Sequence, residues 1–199
     1  MSFAAYIEDV YRLSFDEGLG KQDWGTCFPI LVSNAPRFVT AAHVFDKLGR
    51  PATASVSFCS PAHAIQIHQI QIRYLACDVA IVLPCWVPNK RCLPTSISPA
   101  SSMVVLVGYP RTSAGTMPGC TEQYKTKGII NDVRTNSLCT QYSMNMLTGA
   151  IGPGNSGGPV FDLNEQEEGI SVIGVLSGGG ADSSQANNMV ATRIDTAFQ

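Results

Sequence analysis

Gly154-Asn155-Ser156-Gly157-Gly158-Pro159 is the stretch that decides how the chain is interpreted. A serine lies between glycine-rich flanks, and the apolar residues Val160 and Phe161 follow directly. Glycine occurs where the backbone must take a positive φ or approach another group closely, so we predict that Ser156 lies on a tight, exposed turn. On such a turn the N–H groups of Gly154 and Ser156 point to one side, where they would stabilise a developing oxyanion. A glycine-rich hairpin turn in a β protein is the alternative, because one short motif is not specific.

Two further residues complete a possible catalytic group. A serine hydroxyl becomes a good nucleophile only beside a base that a third group orients. Among the three histidines, His43 lies at the end of an apolar, strand-like run within 38–44, and Asp78 stands at the head of the run 79–83. The order His43, Asp78, Ser156 is one in which such triads occur. We predict His43 as the general base, Asp78 as the carboxylate that fixes the imidazole tautomer, and Ser156 as the nucleophile. Taken singly, His43 and Asp78 are equally compatible with a packed histidine and a capping carboxylate at strand ends.

Three motifs together carry a family resemblance. Thr40-Ala41-Ala42-His43, Asp78-Val79-Ala80-Ile81-Val82 and the Ser156 hexapeptide resemble the signatures of the chymotrypsin-like (trypsin-fold) serine peptidases. The stretch 150–159 is most similar to the HtrA/DegP type of trypsin-like peptidase. The resemblance implies a serine endopeptidase that acts on polypeptides through an acyl-enzyme intermediate and needs no cofactor. It further suggests a regulated intracellular protease that processes a partner protein.

Short apolar runs separated by turn residues predict an all-β protein. The predicted strands are 25–32, 37–41, 54–58, 65–74, 79–83, 103–107, 123–131, 138–143, 158–161, 172–176 and 189–193. Four prolines within 84–102 disfavour regular structure, so this segment is predicted to cross between two halves. Residues 3–15 carry apolar side chains near helical spacing and predict a short amphipathic helix.

The resemblance turns this pattern into an architecture. It implies two six-stranded antiparallel β-barrels with a short N-terminal helix and a substrate cleft between the barrels. The predicted units are a helical segment 1–18, a first barrel 19–95 that holds His43 and Asp78, and a second barrel 96–199 that holds Ser156. A fused or partner regulatory domain is left open.

Composition limits the possible partners and the location. The net charge of −2 offers no basic surface for nucleic acid. No apolar run approaches the ~18 residues of a membrane span, and the first 17 residues lack the pattern of a secretion signal. The seven cysteines are an odd number, and position 44 is Val where secreted members of the family carry a bridged cysteine. We therefore predict reduced thiols and a cytoplasmic protein; a periplasmic or secreted protein whose signal has been removed is the alternative.

Histidine and cysteine spacing predicts no metal site. Cys59, His63 and His68 lack a second cysteine at a zinc-finger spacing. Cys85 and Cys92 are not part of a closely spaced cysteine pair. Barrel packing or surface positions explain these residues more simply.

The resemblance also locates a pocket for the substrate residue before the cut. Its floor is Ala150, and one wall is Ser177-Gly178-Gly179. An apolar floor predicts a preference for small or medium apolar residues, because a buried unpaired cation is costly. The alternative is a preference for Arg or Lys if Asp182 folds back toward the pocket.

Two other functions are weighed against peptidase activity. The first is a catalytically silent trypsin-like fold that acts as a protein-binding module, although no triad residue or oxyanion glycine is missing here. The second is an esterase, because Gly154-Asn155-Ser156-Gly157-Gly158 also fits the nucleophile elbow of α/β-hydrolases. Those enzymes place their histidine last and need alternating helices, which this sequence does not predict.

Overall fold

The computed structural model describes residues 3–18, 20–83, 91–148, 151–163, 170–179 and 188–198. Within these ranges a short helix α1 (Phe3–Ile7) precedes twelve strands, and a 3₁₀ helix (Ala42–Leu48) follows the third strand. The strands are β1 (Tyr11–Gly18), β2 (Lys21–Val32), β3 (Ala35–Ala41), β4 (Thr53–Ser60), β5 (His63–Tyr74), β6 (Val79–Leu83), β7 (Met103–Gly108), β8 (Tyr124–Thr135), β9 (Thr140–Met146), β10 (Pro159–Asp162), β11 (Ser171–Gly179) and β12 (Asn188–Arg193). None of the helices in the described ranges has the length and apolar character that a transmembrane helix needs.

The strands close into two antiparallel barrels. The first has the order β1-β2-β3-β6-β5-β4 and the second has the order β10-β11-β12-β9-β8-β7. The predicted fold class, two six-stranded β-barrels with a short N-terminal helix, is thereby confirmed.

Local turn chemistry explains the β2–β3 hairpin, which the sequence also predicted. Ser33 and Asn34 take φ values of 50° and 62° between the paired residues Val32 and Ala35. Two consecutive residues with positive φ form a tight turn whose twist matches that of the flanking strands. This hairpin directs β3 toward the site, because His43 follows its end by two residues.

An apolar cluster joins the two barrels. Phe28 of β2 and Val39 of β3 pack with Val107 of β7, Phe161 of β10 and Val175 of β11, all fully buried. Burial of apolar surface is the main favourable contribution to such packing. The cluster therefore fixes the barrels against each other, and the functional residues of both barrels meet at the same boundary.

The predicted helix over residues 3–15 is wrong beyond Ile7. Residues Tyr11–Gly18 form β1, and Tyr11, Leu13 and Phe15 lie in the core of the first barrel. These three residues are spaced two apart, which places their side chains on the same face of a strand. The helical prediction assigned a period of 3.6 to apolar residues that follow the period of two of a strand. The first barrel consequently begins at Tyr11, inside the segment that was predicted to be helical.

The prediction of reduced thiols is wrong for four cysteines. Cys59 is bonded to Cys120 and Cys77 to Cys139, with Cα–Cα distances of 5.5 and 6.4 Å. Both bonds link the first barrel to the second, with sequence separations of 61 residues for Cys59–Cys120 and 62 for Cys77–Cys139. At such separations the spacing of the cysteines along the chain does not indicate which of them pair. Cys27 and Cys92 take part in neither bond, and Cys85 lies outside the described residues.

Candidate active site

Strand pairing brings His43 to Asp78. Ala41 at the end of β3 pairs with Val79 at the start of β6, so the residues just beyond them become neighbours. The N–H of Ala42 donates to the carbonyl oxygen of Asp78 at 2.9 Å, and the N–H of His43 donates to Asp78 Oδ1 at 2.8 Å. The His43 ring nitrogen Nδ1 lies 2.5 Å from Asp78 Oδ2.

The carboxylate changes the chemistry of the imidazole. Its hydrogen bond raises the pKa of His43 above the ordinary value, against the opposing effect of burial. The two side chains are 35% and 25% exposed, so the ring is shielded but reachable from solvent. A histidine held in this way has a fixed tautomer, with Nδ1–H directed at the carboxylate and Nε2 left to accept a proton.

Ser156 lies on the other side of the ring. Its Oγ is 2.7 Å from His43 Nε2, so a chain of hydrogen bonds runs from Asp78 through His43 to Ser156. The structure thus brings together the three residues that the sequence picked out as a possible triad. Ser156 comes from the second barrel and the other two come from the first.

Glycines shape the Ser156 loop, as the sequence indicated. Gly154 and Gly157 take φ values of +97° and +83°, which L side chains rarely adopt. A Cβ on Gly157 would also collide with the hydroxyl of Thr40 and the carbonyl oxygen of Thr26. Only glycine therefore fits this position without displacing β2 or β3.

The N–H groups of Gly154 and Ser156 were predicted to bind an oxyanion. Within the described ranges, neither donates to a protein acceptor, while their carbonyl oxygens are both held by Thr26. The N–H of Thr26 donates to Ser156 O at 2.8 Å, and its hydroxyl donates to Gly154 O at 2.8 Å. The peptide groups that carry the two N–H donors are held through other carbonyl oxygens, since Pro153 O accepts from the N–H of Arg111 at 2.7 Å and Asn155 O accepts from the N–H of Gly158 at 2.9 Å. Backbone donors fixed in this way are preorganised, which is what stabilisation of a developing oxyanion requires.

Sequence reasoning missed Thr26. It is fully buried in β2 of the first barrel, and its hydroxyl also accepts a bond of 3.1 Å from the N–H of Tyr109. A threonine inside an apolar strand is ordinary, so nothing in the sequence marks this residue. Only the meeting of the two barrels reveals its contacts.

The predicted pocket wall, Ser177-Gly178-Gly179, lies at the end of β11. The register of β11 against β12 shifts between Leu176 and Gly178, and Gly179 pairs with Met189. The Ser177 hydroxyl donates to the carbonyl oxygen of Val190 at 3.3 Å, and a Cβ on Gly178 would meet open space. The predicted floor Ala150 and the alternative Asp182 lie outside the described residues.

The remaining histidines lie on β5, away from the triad. His63 stacks on Tyr11 with ring centroids 5.7 Å apart, and the ring of His68 lies 5.9 Å from that of Phe58. In the part of the chain that the structure describes, no group of three or more His, Cys, Asp or Glu residues could hold a metal ion.

Comparisons with known proteins agree with this geometry. The model of the Trypsin family matches residues 15–199. The active form of the Rv3671c protease of M. tuberculosis superposes with a TM-score of 0.64 at 20% identity, covering 97% of this chain and 79% of that one. The HtrA-type protease AlgW with a tripeptide gives 0.68 at 17% identity, covering 98% and 59%. A serine endoprotease of Yersinia pestis gives 0.68 at 15% identity, covering 96% and 60%.

These matches differ in what they show. At such identities the structural likeness establishes the fold, and the resemblance to HtrA-type proteases seen in the sequence is confirmed at that level. A search of curated proteins by sequence finds no significant match.

Proposed function

The chain belongs to the trypsin family and is a serine endopeptidase, and we propose that His43, Asp78 and Ser156 carry out its reaction. The observation behind this proposal is the unbroken chain of hydrogen bonds, with 2.5 Å from Asp78 Oδ2 to His43 Nδ1 and 2.7 Å from His43 Nε2 to Ser156 Oγ. The contact between His43 Nε2 and Ser156 Oγ is within the range at which a general base takes a proton, and the contact with Asp78 holds the imidazole in the required orientation.

The proposed reaction has two halves. Ser156 Oγ attacks the peptide carbonyl carbon while His43 Nε2 takes the hydroxyl proton, and the N–H groups of Gly154 and Ser156 bind the resulting oxyanion. Protonated His43, stabilised by ionised Asp78, then gives its proton to the leaving amine. A water molecule attacks the acyl-enzyme in the same way, with His43 again as base, and releases Ser156.

The first experiment labels the protein with a fluorophosphonate probe, which reacts with an activated serine. Wild type should be labelled at one residue and should cleave a denatured protein substrate. Ser156→Ala should lose both activities, on the order of 10⁴-fold or more, whereas the exposed control Ser113→Ala should retain both. A wild-type protein that is folded yet neither labelled nor active would instead support the protein-binding module.

We propose that the substrate adds a strand beside β11. Gly174 and Val175 pair with both β10 and β12, but Gly178 and Gly179 pair only with β12 among the described residues. Their other edge is therefore open to an extended peptide, which would hydrogen-bond to the backbone.

The pocket beside this edge, with Ala150 as its proposed floor and Gly178 and Gly179 in its wall, should accept small or medium apolar residues. The discrimination expected from such a pocket is only ~1–3 kcal/mol. Profiling with a peptide library tests this preference directly. A strong preference for Arg or Lys would contradict it, and Asp182→Ala would then show whether that carboxylate is responsible.

The location in the cell is a separate proposal. Disulfides persist in oxidising compartments and are rare in the cytosol, so the two cross-links favour the periplasmic or secreted alternative over the cytoplasmic prediction. Blocking thiols inside intact cells and then counting them distinguishes the two. Seven blocked thiols support the cytoplasm, whereas removing the four cross-linked cysteines from that total leaves three in an oxidising compartment.

We also propose that the enzyme processes a partner protein rather than degrading proteins generally. Comparing the protein N-termini of cells that carry wild type with those that carry Ser156→Ala tests this role. Few new N-termini support processing, and many unrelated ones contradict it.

A further inference from the structure

The turn that carries Asp78 is closed by one backbone hydrogen bond, from the N–H of Leu75 to the carbonyl oxygen of Val79 at 2.8 Å, and the N–H of Ala42 donates to the carbonyl oxygen of Asp78. Cys77 and Asp78 take φ values of 54° and 63°, an unfavourable conformation for residues other than glycine. Such a conformation persists only where the surroundings enforce it. The turn therefore needs restraints beyond its own sequence.

The Asp78 carboxylate does not supply them. Its two oxygens accept from the N–H and from the Nδ1 of the same residue, His43. Among the described residues no other group donates to this carboxylate. Its position relative to the imidazole thus depends on the backbone of the turn.

Residues of the second barrel hold that backbone at Cys77, directly before Asp78. The Cys77 side chain is bonded to Cys139, and its carbonyl oxygen accepts a hydrogen bond of 2.6 Å from the hydroxyl of Thr192. Thr192 lies in β12 and is fully buried. One residue is therefore fixed to the second barrel both through its side chain and through its backbone.

The anchor at Cys139 is itself held by hydrogen bonds. It lies in the turn between β8 and β9, where its N–H donates to Asn136 Oδ1 and its carbonyl oxygen accepts from the N–H of Asn136, both at 3.0 Å. The next residue, Thr140, donates its N–H to the hydroxyl of Thr196 at 3.0 Å. Movement of the Cys77 side chain is thus opposed by an ordered part of the second barrel.

We propose that the Cys77–Cys139 disulfide and the Thr192 hydroxyl are positioning elements that hold the Asp78 carboxylate against His43. The inference rests on the proposed function of the triad and adds residues that touch neither the substrate nor the reacting atoms. In this arrangement the barrel that supplies the nucleophile also sets the geometry of the base on the other barrel.

The second disulfide provides a matched control. Cys59–Cys120 also joins the two barrels, and its sequence separation of 61 residues nearly equals the 62 of Cys77–Cys139. Loop closure in the unfolded chain depends on this separation, so removing either bond should relax the unfolded state equally. Only Cys77–Cys139 reaches the Asp78 turn.

The experiment compares the double variants Cys77→Ser/Cys139→Ser and Cys59→Ser/Cys120→Ser with wild type, at a temperature where circular dichroism shows all three to be folded. The first should lose at least about tenfold in kcat with KM nearly unchanged, since small misplacements of a catalytic group cost up to about 10²-fold. The control should keep its kcat while losing a similar amount of thermal stability. Equal kcat values in the two double variants would overturn the proposal.

A second readout follows the imidazole itself. The hydrogen bond to Asp78 raises the pKa of His43, and the charges of Asp46 on the 3₁₀ helix and of Arg50 just beyond it act on this pKa in opposite directions. Loosening the Asp78 turn should lower this pKa in the first double variant and leave it unchanged in the control. NMR titration of the His43 ring measures the pKa without any substrate, so it tests this inference even if wild type proves inactive and the proposed function fails.

Thr192 gives an independent test if a double variant does not fold. Thr192→Val keeps the shape but removes the donor to Cys77, whereas Thr192→Ser keeps the hydroxyl. The valine variant should show a lowered kcat and a lowered His43 pKa, and the serine variant should resemble wild type. An unchanged His43 pKa and kcat in Thr192→Val would remove Thr192 from the proposal.

Discussion

The Ser156 loop and the Asp78 turn solve the same conformational problem in different ways. Both need residues with positive φ to present a functional side chain at the boundary between the barrels. The Ser156 loop places glycines there, Gly154 at +97° and Gly157 at +83°, whereas the Asp78 turn places Cys77 at 54° and Asp78 at 63°.

The difference lies in where the restraint comes from. Glycine adopts positive φ without penalty, so the Ser156 loop carries much of its geometry in its own sequence. The Asp78 turn has no glycine, and besides two backbone hydrogen bonds within the first barrel it is restrained by contacts from the second barrel at Cys77. One half of the site is therefore determined locally, and the other is determined by the assembled fold.

The largest effect is expected from Asp78→Asn, which tests whether the turn serves the triad at all. The amide would present a donor to His43 Nδ1 and favour the wrong tautomer, so kcat/KM at neutral pH should fall about 10⁴-fold, as is typical of this substitution in triads. The matched control is Asp46→Asn, which removes an exposed carboxylate near the same histidine and should change kcat/KM by less than about threefold. A larger loss from Asp46→Asn than from Asp78→Asn would show that the wrong carboxylate has been assigned.

Gly157→Ala tests the local character of the Ser156 loop. The new Cβ would meet the Thr40 hydroxyl and the Thr26 carbonyl oxygen at a positive φ, so the free energy of unfolding should fall by about 3 kcal/mol or more. Gly49→Ala is the control, because Gly49 has a similar φ of +72° with nothing within 4 Å of the added atom. It should cost only about 1 kcal/mol.

Urea unfolding of both alanine variants and wild type measures this contrast. Equal losses at the two positions would mean that φ alone, and not the close approach of β2 and β3, requires glycine at position 157.

Thr26→Val should have a smaller effect, because it leaves the shape of β2 intact. It removes the hydroxyl that donates to Gly154 O and accepts from the N–H of Tyr109. A buried N–H left unpaired and a freed loop should together cost about 1–3 kcal/mol, expressed mainly as a lower kcat if Gly154 binds the oxyanion. Thr26→Ser keeps the hydroxyl and should restore kcat, whereas a rise in KM alone would place Thr26 in substrate binding.

The comparison also explains what the sequence could predict. Glycines around Ser156 and apolar runs beside His43 and Asp78 are local signals. They sufficed to predict that the three residues form one site. The barrel strands followed from apolar runs and turns in the same way. Such features can be predicted because the residues that determine a turn or a strand lie within that turn or strand.

The features that the sequence did not predict depend on contacts between residues far apart in the chain. Cys77 and Cys139 are 62 residues apart, and Thr26 meets Gly154 only when the barrels pack. Residues 11–15 of β1 looked helical because their apolar spacing was considered apart from the barrel that this strand closes. Contacts between distant segments decide these features, and one sequence carries no direct record of them.

The smallest expected effect concerns two charges near His43, Asp46 on the 3₁₀ helix and Arg50 two residues beyond its end. The reaction needs the neutral ring, so kcat/KM should rise as pH increases through the pKa of His43. Any change in this pKa should move this rising limb of the pH profile. The negative charge of Asp46 raises the pKa and the positive charge of Arg50 lowers it. Asp46→Asn should therefore move the limb to lower pH, and Arg50→Gln should move it to higher pH.

These two residues are exposed and bonded to each other, at 2.5 Å between Arg50 Nε and Asp46 Oδ1. Salt screens exposed charges, so both shifts should shrink at high ionic strength, and the double variant should lie near wild type. The shift caused by loosening the Asp78 turn comes from a hydrogen bond and should persist in salt. pH profiles of kcat/KM at low and high salt separate the two causes, and a limb that moves equally with salt in both sets of variants would contradict the distinction between them.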